Sequence, residues 1–277
     1  MIIEKKFNNN VILTKDKQGR EVVVMGNGIA FSVRPGDKID ESRIEKVFVI
    51  ENGNSPDDVV STLSDMSKIE IDIVDQIIQE ATTVLKADFS NYLYLALGDH
   101  IHYALQRYDE DLELSNPLLW EIEHIYPEEF KVALQALNTI LEFTGKLLKK
   151  DEAGYIALHF VNAQQNHLTL DDTKKIPKII KQIIQIVEYH YAIELNKNSI
   201  SYQRFLVHLK FFAQQIIQGD NLPITDLSLF DSLKEKWAKA FSCVMKIDAF
   251  IQRQYNRKIN KDECFYLMVH IQRVTGN

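Results

Sequence analysis

The sequence lacks the features that would place the chain in a membrane or outside the cell. It has no apolar run near the roughly 18 residues of a transmembrane helix, and Met1–Lys6 does not begin a signal peptide. The only two cysteines, Cys243 and Cys264, have no metal-binding spacing. Without an export signal, both thiols are expected to be reduced and buried. We therefore expect a cytoplasmic protein with no membrane insertion.

The common catalytic motifs are also missing. No GxSxG, P-loop or GxGxxG pattern occurs, and no His-x3-His or acid-rich ligand set surrounds any histidine. We therefore expect no enzymatic activity, no cofactor and no metal. A metal-dependent helical enzyme stays open as an alternative, which stoichiometric metal in the purified protein would support.

The net charge of −7 is unevenly distributed over the 277 residues. Basic and acidic residues are nearly balanced in residues 1–56, so residues 57–277 carry the acidity. The overall charge therefore neither excludes nor favours nucleic-acid binding by the N-terminal segment.

Residues 1–56 have the pattern of a small β-domain. Glycine-, asparagine- and proline-containing turns separate four β-branched runs, which are residues 11–13, 22–25, 29–33 and 44–50. This predicts an antiparallel sheet or small barrel. So short a segment buries little surface alone, so we expect it to dimerise through one sheet face.

Two polar segments of this domain have two possible roles. Asn8–Asn10 precedes a predicted strand, and Gly26–Gly28 is predicted to join two strands tightly. Amide side chains can read base edges, glycines permit close approach, and Phe31 offers a stacking surface. The alternative is that the asparagines and glycines only form turns and that Phe31 is a core residue.

The remainder is helical and duplicated. The segment Asp151–His159 returns as Asp262–His270, and both read Asp-Glu, two residues, Tyr, an aliphatic, one residue, an aliphatic and His. Other matched positions are Gln76–Gln79 with Gln182–Gln185, His100–Tyr103 with His208–Phe211, and Leu118, Tyr126 and Phe130 with Leu229, Trp237 and Phe241. The repeat predicts two bundles of about five helices each.

Local signals place some helix ends. Ser90 is predicted to be an N-cap, and Asp151 with Glu152 is predicted to cap the helix that carries His159. The polar segment Asn166–Asp172 is predicted to be a linker between the two copies.

Four of the eight histidines are reproduced between the copies, His100 with His208 and His159 with His270. Metal binding and acid–base catalysis lack supporting partners, whereas a neutral imidazole is a good nucleophile for phosphate near pH 7. The tyrosines one turn before the second histidine of each copy, Tyr155 and Tyr266, are candidate orienting groups. We therefore favour phosphoryl acceptance.

The sequence resembles transcriptional antiterminators of the BglG/SacY family, most closely their β-glucoside-type members, over essentially the whole chain. In the N-terminal part the resemblance rests on Phe7–Ile12, Val24–Phe31 and Arg43–Phe48. In the helical part it rests on Gly98–Ile101, Asp151–Ala163, His208–Gln214 and Asp262–Arg273. Together these segments are specific, whereas each alone would be weak.

The resemblance implies an α+β multidomain protein. Residues 1–56 would be a dimeric RNA-binding co-antiterminator domain, followed by two all-α phosphotransferase regulation domains, residues 57–168 and 169–277. The dimer would bind a leader mRNA hairpin, the ribonucleic antiterminator, and prevent terminator formation. The implied RNA-binding residues are Lys5, Asn8, Asn10, Gly26, Asn27 and Phe31. Asn27 departs from the family, whose β-glucoside-type members often have arginine there.

The resemblance also implies that all four repeated histidines are phosphoacceptors of the sugar phosphotransferase system. His100 and His159 would be phosphorylated through a sugar-specific enzyme II permease, which inactivates the protein. His208 and His270 would be phosphorylated by the carrier HPr, which activates it. A DNA-binding activator with the same regulation domains is the alternative, and it would need a helix-turn-helix before the duplication.

Overall fold

The computed structural model describes residues 1–49, 56–164, 169–219 and 230–276. Several sequence-based predictions fall outside these ranges. They are the end of the last strand at Ile50, the start of the helical part at Ser55, the linker residues 166–168 and the repeat position Leu229. The rest of the predicted linker, residues 169–172, is wrong, because Thr169 and Asp172 form the capping box of a helix that begins at Leu170.

The N-terminal segment forms a four-stranded antiparallel sheet, which confirms the predicted fold class of this part. Its strands are β1 (Ile3–Lys6), β2 (Val11–Lys15), β3 (Glu21–Met25) and β4 (Lys46–Val49), and they pair in chain order. In this register Ile12 lies opposite Val24, and Val24 lies opposite Val47. One buried cluster joins the sheet to the following loop, and it consists of Ile3, Ile12, Val22, Val24, Ile29, Ala30 and Ile39.

One predicted strand, residues 29–33, is wrong. Consecutive turns replace it, in which the amide N–H of Ile29 donates to the Gly26 carbonyl and that of Phe31 to the Gly28 carbonyl. Ile29 and Ala30 are nevertheless buried, so their apolar character reflects core packing rather than a strand. The fourth strand is β1 instead, whose polar sequence IEKK gives little alternation to detect.

The helices of the first compact unit, residues 1–116 and 128–165, follow the sheet. They are α1 (Pro56–Asp65), α2 (Lys68–Leu85), α3 (Asn91–Asp109), α5 (Pro127–Thr144) and α6 (Lys150–Gln164). A capping box between Ser67 and Glu70 starts α2. Ser90 is the N-cap of α3 as predicted, although its side chain makes no capping hydrogen bond. Packing of α3 against both α2 and α6 makes it the central helix of this unit.

The second compact unit comprises residues 117–127 and 166–277. Its helices are α4 (Leu119–Ile125), α7 (Leu170–Tyr191), α8 (Ile200–Gln218), α9 (Phe230–Lys236), α10 (Ala238–Tyr255) and α11 (Lys261–Thr275). Helix α4 packs here because Lys181 donates to the Pro117 carbonyl at 2.6 Å and Lys210 to the Ile125 carbonyl at 3.2 Å.

The described helices are amphipathic rather than uniformly apolar. Several long helices bury one apolar stripe, such as Ile73 and Ile77 of α2 or Ile247 and Ile251 of α10, whereas α6 is buried on nearly all sides. None of them combines the length and apolar character that crossing a bilayer requires.

Candidate functional site

The first histidine pair lies between α3 and α6 of the first unit. His100 on α3 and His159 on α6 have ring centroids 5.4 Å apart and an interplanar angle of 45°. Both are shielded, with the side chain of His100 13% exposed and His159 only 9% exposed. Two residues on different helices, far apart in sequence, therefore form one imidazole pair.

A buried carboxylate adjoins this pair. One oxygen of Glu152 lies 3.0 Å from Nε2 of His100, and the other accepts a hydrogen bond from Arg107 at 3.0 Å. The contact with His100 is a close polar contact whose angles do not meet those of a hydrogen bond. Burial acts to raise the pKa of Glu152, but His100 and Arg107 outweigh it and bring that pKa below its ordinary value. Glu152 is therefore a carboxylate at neutral pH.

The predicted capping role of Asp151 and Glu152 is wrong. Asp151 accepts a hydrogen bond from the backbone N–H of Asn116 at 2.7 Å, while Glu152 turns to His100 and Arg107. Both carboxylates are used by side-chain and loop contacts of the folded unit, which a local capping rule does not consider.

The second histidine pair lies between α8 and α11 of the second unit. The rings of His208 and His270 are closer than in the first pair, with centroids 3.8 Å apart at 34°. The hydroxyl of Tyr266 is hydrogen-bonded to Nδ1 of His208, and its ring lies 4.7 Å from that of His270. Tyr266 therefore contacts both histidines.

Burial favours the neutral form of these two imidazoles. Burial, with help from His208 and Arg273, lowers the pKa of His270 to about 4. Burial and Arg273 also lower the pKa of His208. A neutral imidazole keeps one nitrogen lone pair, which is what a nucleophile requires.

We expect the second unit to lose stability on acidification between pH 6.5 and about pH 4. The pKa of His270 falls from 6.5 to about 4 on folding, so in this window the unfolded chain binds more protons. The free energy of unfolding then decreases as pH falls, by less than about 1.4 kcal/mol per pH unit, because His270 is only half-buried and solvent screens part of the effect. Thermal unfolding of the full chain at several pH values across this range measures the pH dependence of the stability. His270→Gln should flatten the pH dependence, so a variant whose stability profile equals that of the unmodified chain would contradict the assignment.

Three histidines that have no counterpart in the other copy make contacts outside the two histidine pairs. His102 lies 2.9 Å from Glu70, His124 stacks on Trp120, and His190 lies 3.1 Å from the Lys239 carbonyl. His167 lies outside the described residues. Across residues 1–49, 56–164, 169–219 and 230–276, no three His, Cys, Asp or Glu side chains are grouped as metal ligands.

The candidate RNA-binding asparagines also shape the loop that they belong to. The side-chain oxygen of Asn8 accepts from the N–H groups of Asn10 and Val11, each at 2.8 Å. That of Asn10 accepts from the N–H of Gly28 at 2.9 Å. The turn-forming alternative therefore holds for both amide oxygens, and it brings the Asn8–Asn10 and Gly26–Gly28 segments together.

The other candidates of this domain differ in burial. Gly26 is buried, and a Cβ atom there would overlap the carbonyl oxygen of Arg43. Asn27 is exposed, and Phe31 is 66% exposed, so Phe31 is not a core residue. Lys5 is exposed and forms an ion pair with Asp57 at 2.7 Å.

Two basic residues beside this loop were not selected from the sequence. Arg43 donates to the Gly28 carbonyl at 3.1 Å, and Lys6 donates to the Ala30 carbonyl at 2.5 Å. Both place positive charge beside Asn27 and Phe31. Arg43 lies in one of the segments that carried the resemblance, but no spacing rule connects it to Gly28.

Comparison with known proteins places these features in a class. The model of the CAT RNA-binding domain matches residues 1–56, and that of the PRD domain matches residues 75–163 and 181–274. The chain therefore has the architecture of an RNA-binding regulator with two PRD domains.

Individual relatives narrow this class. Transcription antiterminator LicT of Bacillus subtilis is 41% identical over 274 residues, 99% of each chain. The β-glucoside operon antiterminator of Dickeya chrysanthemi is 38% identical, over 99% of this chain and 96% of the relative. The solved structure of the LicT bacterial antiterminator protein in complex with its RNA target is 53% identical over 20% of this chain and 100% of that chain, with a TM-score of 0.19. The chain belongs to the BglG/SacY family of transcriptional antiterminators.

Proposed function

We propose that the protein is a sugar-responsive transcriptional antiterminator that acts on a leader mRNA hairpin. Residues 1–56, as a dimer, bind the hairpin and thereby prevent the overlapping terminator from forming. Binding stabilises one RNA fold over its competitor by RT ln(1 + [L]/Kd), where [L] is the concentration of free protein. This is about 2.7 kcal/mol when [L] is about 100 times Kd. That suffices to bias the choice between two hairpins.

The RNA-binding surface of this proposal is the loop around Gly26–Phe31. Asn27 and Phe31 are exposed there, and Asn8 and Asn10 hold the loop from the adjacent segment. An exposed aromatic ring stacks on an unpaired base, and backbone and amide groups bond its edges. Lys5 and Arg43 supply positive charge for binding phosphate. This charge compensates for the lack of a charged side chain at Asn27.

The paired histidines are the proposed control sites. In both units the repeated histidines lie side by side on packed helices, and this is the observation that carries the proposal. We assign His100 and His159 to regulation domain 1, residues 57–168, and His208 and His270 to regulation domain 2, residues 169–277. A sugar-specific enzyme II permease would phosphorylate the first pair and HPr the second.

Phosphorylation acts through charge. A phosphohistidine adds about two negative charges, enough to break or to create contacts across a dimer interface. Phosphate on domain 1 would disfavour the RNA-binding dimer, and phosphate on domain 2 would stabilise it. β-Glucosides are the proposed sugar class, in keeping with the name of the Dickeya relative.

Two other assignments follow. The protein has no enzymatic activity of its own in this scheme and acts in the cytoplasm, where nascent RNA and the phosphotransferase carriers are found. A DNA-binding activator is disfavoured because the segment ahead of the duplication forms a β-sheet rather than a helix-turn-helix.

The direct test is phosphorylation of the purified full chain with phosphoenolpyruvate, enzyme I and HPr, followed by mapping of the acid-labile phosphate. We expect phosphate on His208 and His270, and on His100 and His159 once the cognate permease domain is added. A matched protein with all four replaced by alanine should take up none. Stable phosphorylation of His102, His124 or His190 instead would contradict the proposal.

A further inference from the structure

The two histidine pairs have the same neighbours in sequence but different contacts. Each has a glutamate and a tyrosine at equivalent positions, Glu152 and Tyr155 in the first unit and Glu263 and Tyr266 in the second. Glu152 contacts His100, whereas Glu263 pairs with Arg257 at 2.6 Å and caps α11 through the N–H of Asn260. The carboxylate is therefore at the imidazole in one unit and away from it in the other.

For the tyrosines the difference is the opposite one: the tyrosine is bonded to the imidazole in the second unit and not in the first. Tyr155 donates its hydroxyl proton to the carbonyl of Ser115 at 3.1 Å, and its ring centroid is 5.9 Å from that of His100. Tyr266 instead is hydrogen-bonded to Nδ1 of His208. The first unit thus covers Nε2 of its histidine with a carboxylate, and the second covers Nδ1 with a phenol.

The positions of two arginines explain this exchange. In the first unit Arg107 lies on α3, two turns after His100, and holds Glu152 beside that ring. The equivalent residue of α8 is Gln215. In the second unit the arginine is Arg257, which precedes α11 and holds Glu263 at the start of that helix.

The carboxylate determines the tautomer of His100. A neutral imidazole has one N–H and one lone pair, and an ionised carboxylate can only accept. A lone pair on Nε2 facing the Glu152 oxygen at 3.0 Å would be repulsive, so the proton lies on Nε2. The nucleophilic lone pair of His100 is then on Nδ1, for which the described residues provide no hydrogen-bond partner.

The tyrosine has the opposite effect on His208. Its hydroxyl is hydrogen-bonded at Nδ1 and covers that nitrogen, which leaves Nε2 as the nitrogen that a phosphoryl donor can approach. Attack through Nε2 requires the lone pair on that nitrogen, and in that tautomer the Nδ1–H group donates to the phenol oxygen. No described residue hydrogen-bonds to that nitrogen.

We propose that the two regulation domains accept phosphate on different ring nitrogens, His100 on Nδ1 and His208 on Nε2, with Glu152 and Tyr266 as the positioning residues. This rests on the phosphoacceptor roles proposed above. At each site the lone pair attacks phosphorus, the new P–N bond forms, and the bond to the donor phosphohistidine or phosphocysteine breaks, its electron pair leaving with the donor. The other ring nitrogen keeps its proton, facing Glu152 in one domain and Tyr266 in the other.

The first measurement needs no phosphate. Imidazole ¹⁵N shifts of the full chain, labelled at histidine and assigned through His100→Gln and His208→Gln, report the tautomer at pH 7.5. We expect the Nε2–H form at His100 and the Nδ1–H form at His208. Glu152→Ala should change the tautomer ratio of His100 by about tenfold, equivalent to about 1.4 kcal/mol, and leave His208 unchanged. Tyr266→Phe should change the tautomer ratio of His208 and leave that of His100 unchanged. Tyr155→Phe, its matched control, should leave the tautomer ratios of both histidines unchanged.

The second measurement identifies the phosphohistidine isomer at each position after phosphorylation of the full chain by the permease domain and by HPr. We expect Nδ1-phosphohistidine at His100 and Nε2-phosphohistidine at His208, with mixed isomers at His100 in Glu152→Ala and at His208 in Tyr266→Phe. The same isomer at both positions, or isomers unaffected by these substitutions, would overturn the inference while leaving phosphorylation itself intact. Absence of phosphate from both histidines overturns the proposed function, even if the tautomers are as expected.

Discussion

Replacing either histidine of the first pair, His100→Ala or His159→Ala, is expected to give antitermination in the absence of the inducing sugar. The side chain that would carry the inhibitory phosphate is then missing, so the RNA-binding dimer is no longer disfavoured. Coupling between distant sites is typically 1–3 kcal/mol, so a terminator–reporter fusion should rise by roughly 5–150-fold without inducer. The double replacement of His208 and His270 should instead lose activation by HPr.

The chain offers a matched control for the first unit. His102 lies on the same helix as His100 and contacts Glu70 rather than another histidine. His102→Ala should retain sugar-dependent expression, with circular dichroism showing that each variant is folded. If His102→Ala released expression as strongly as His100→Ala, the effect would come from disturbed packing of α3. The opposite pattern, inducer-free expression from the second pair, would exchange the roles of the two domains.

Phe31→Ala is expected to abolish most of the affinity for the leader hairpin without destabilising the protein. Its ring is 66% exposed, so little packing is lost, whereas each aromatic–base stack contributes about 1–3 kcal/mol. The dissociation constant should therefore rise by roughly 5–150-fold. Titration of the labelled hairpin with the full chain, at one fixed salt concentration, measures the change.

Ile2→Ala is the matched control for this prediction. Ile2 is another exposed apolar residue of the same domain, 56% exposed, and it lies outside the Gly26–Phe31 loop. Its replacement should leave hairpin affinity within about twofold, since exposed substitutions away from a binding surface change stability by only about 0.5 kcal/mol. Equal losses for both variants would mean that Phe31 makes no specific contact with RNA.

Local sequence information was sufficient for most secondary structure. The β-to-helix change, the antiparallel sheet and the N-cap at Ser90 all depend on neighbouring residues, which the sequence displays directly. Residues 29–33 were misassigned because burial and strand formation favour the same residue types. Ile29 is buried through turns that begin at Gly26, and no local pattern separates these two causes.

The sequence pointed to the candidate RNA-binding residues but left two roles open for them. Asn8 and Asn10 were recognised as amides able to bind bases or to form turns, and their oxygens are in fact used by the loop. The exposure of Phe31 and the contact of Arg43 with Gly28 depend on how the loop folds back. Both are long-range consequences of chain packing.

The sequence by itself determined the duplication and the four histidines, because a repeated segment preserves spacing that can be counted. Only the tertiary structure decided what surrounds each histidine. Glutamate and tyrosine recur at equivalent positions, yet Glu152 faces His100 while Tyr266 faces His208. The physical reason is that an arginine on α3 holds one carboxylate and an arginine before α11 holds the other. Which residue each glutamate and tyrosine contacts depends on the side chains that packing brings within a few ångströms. The spacing of residues along the chain does not contain that information.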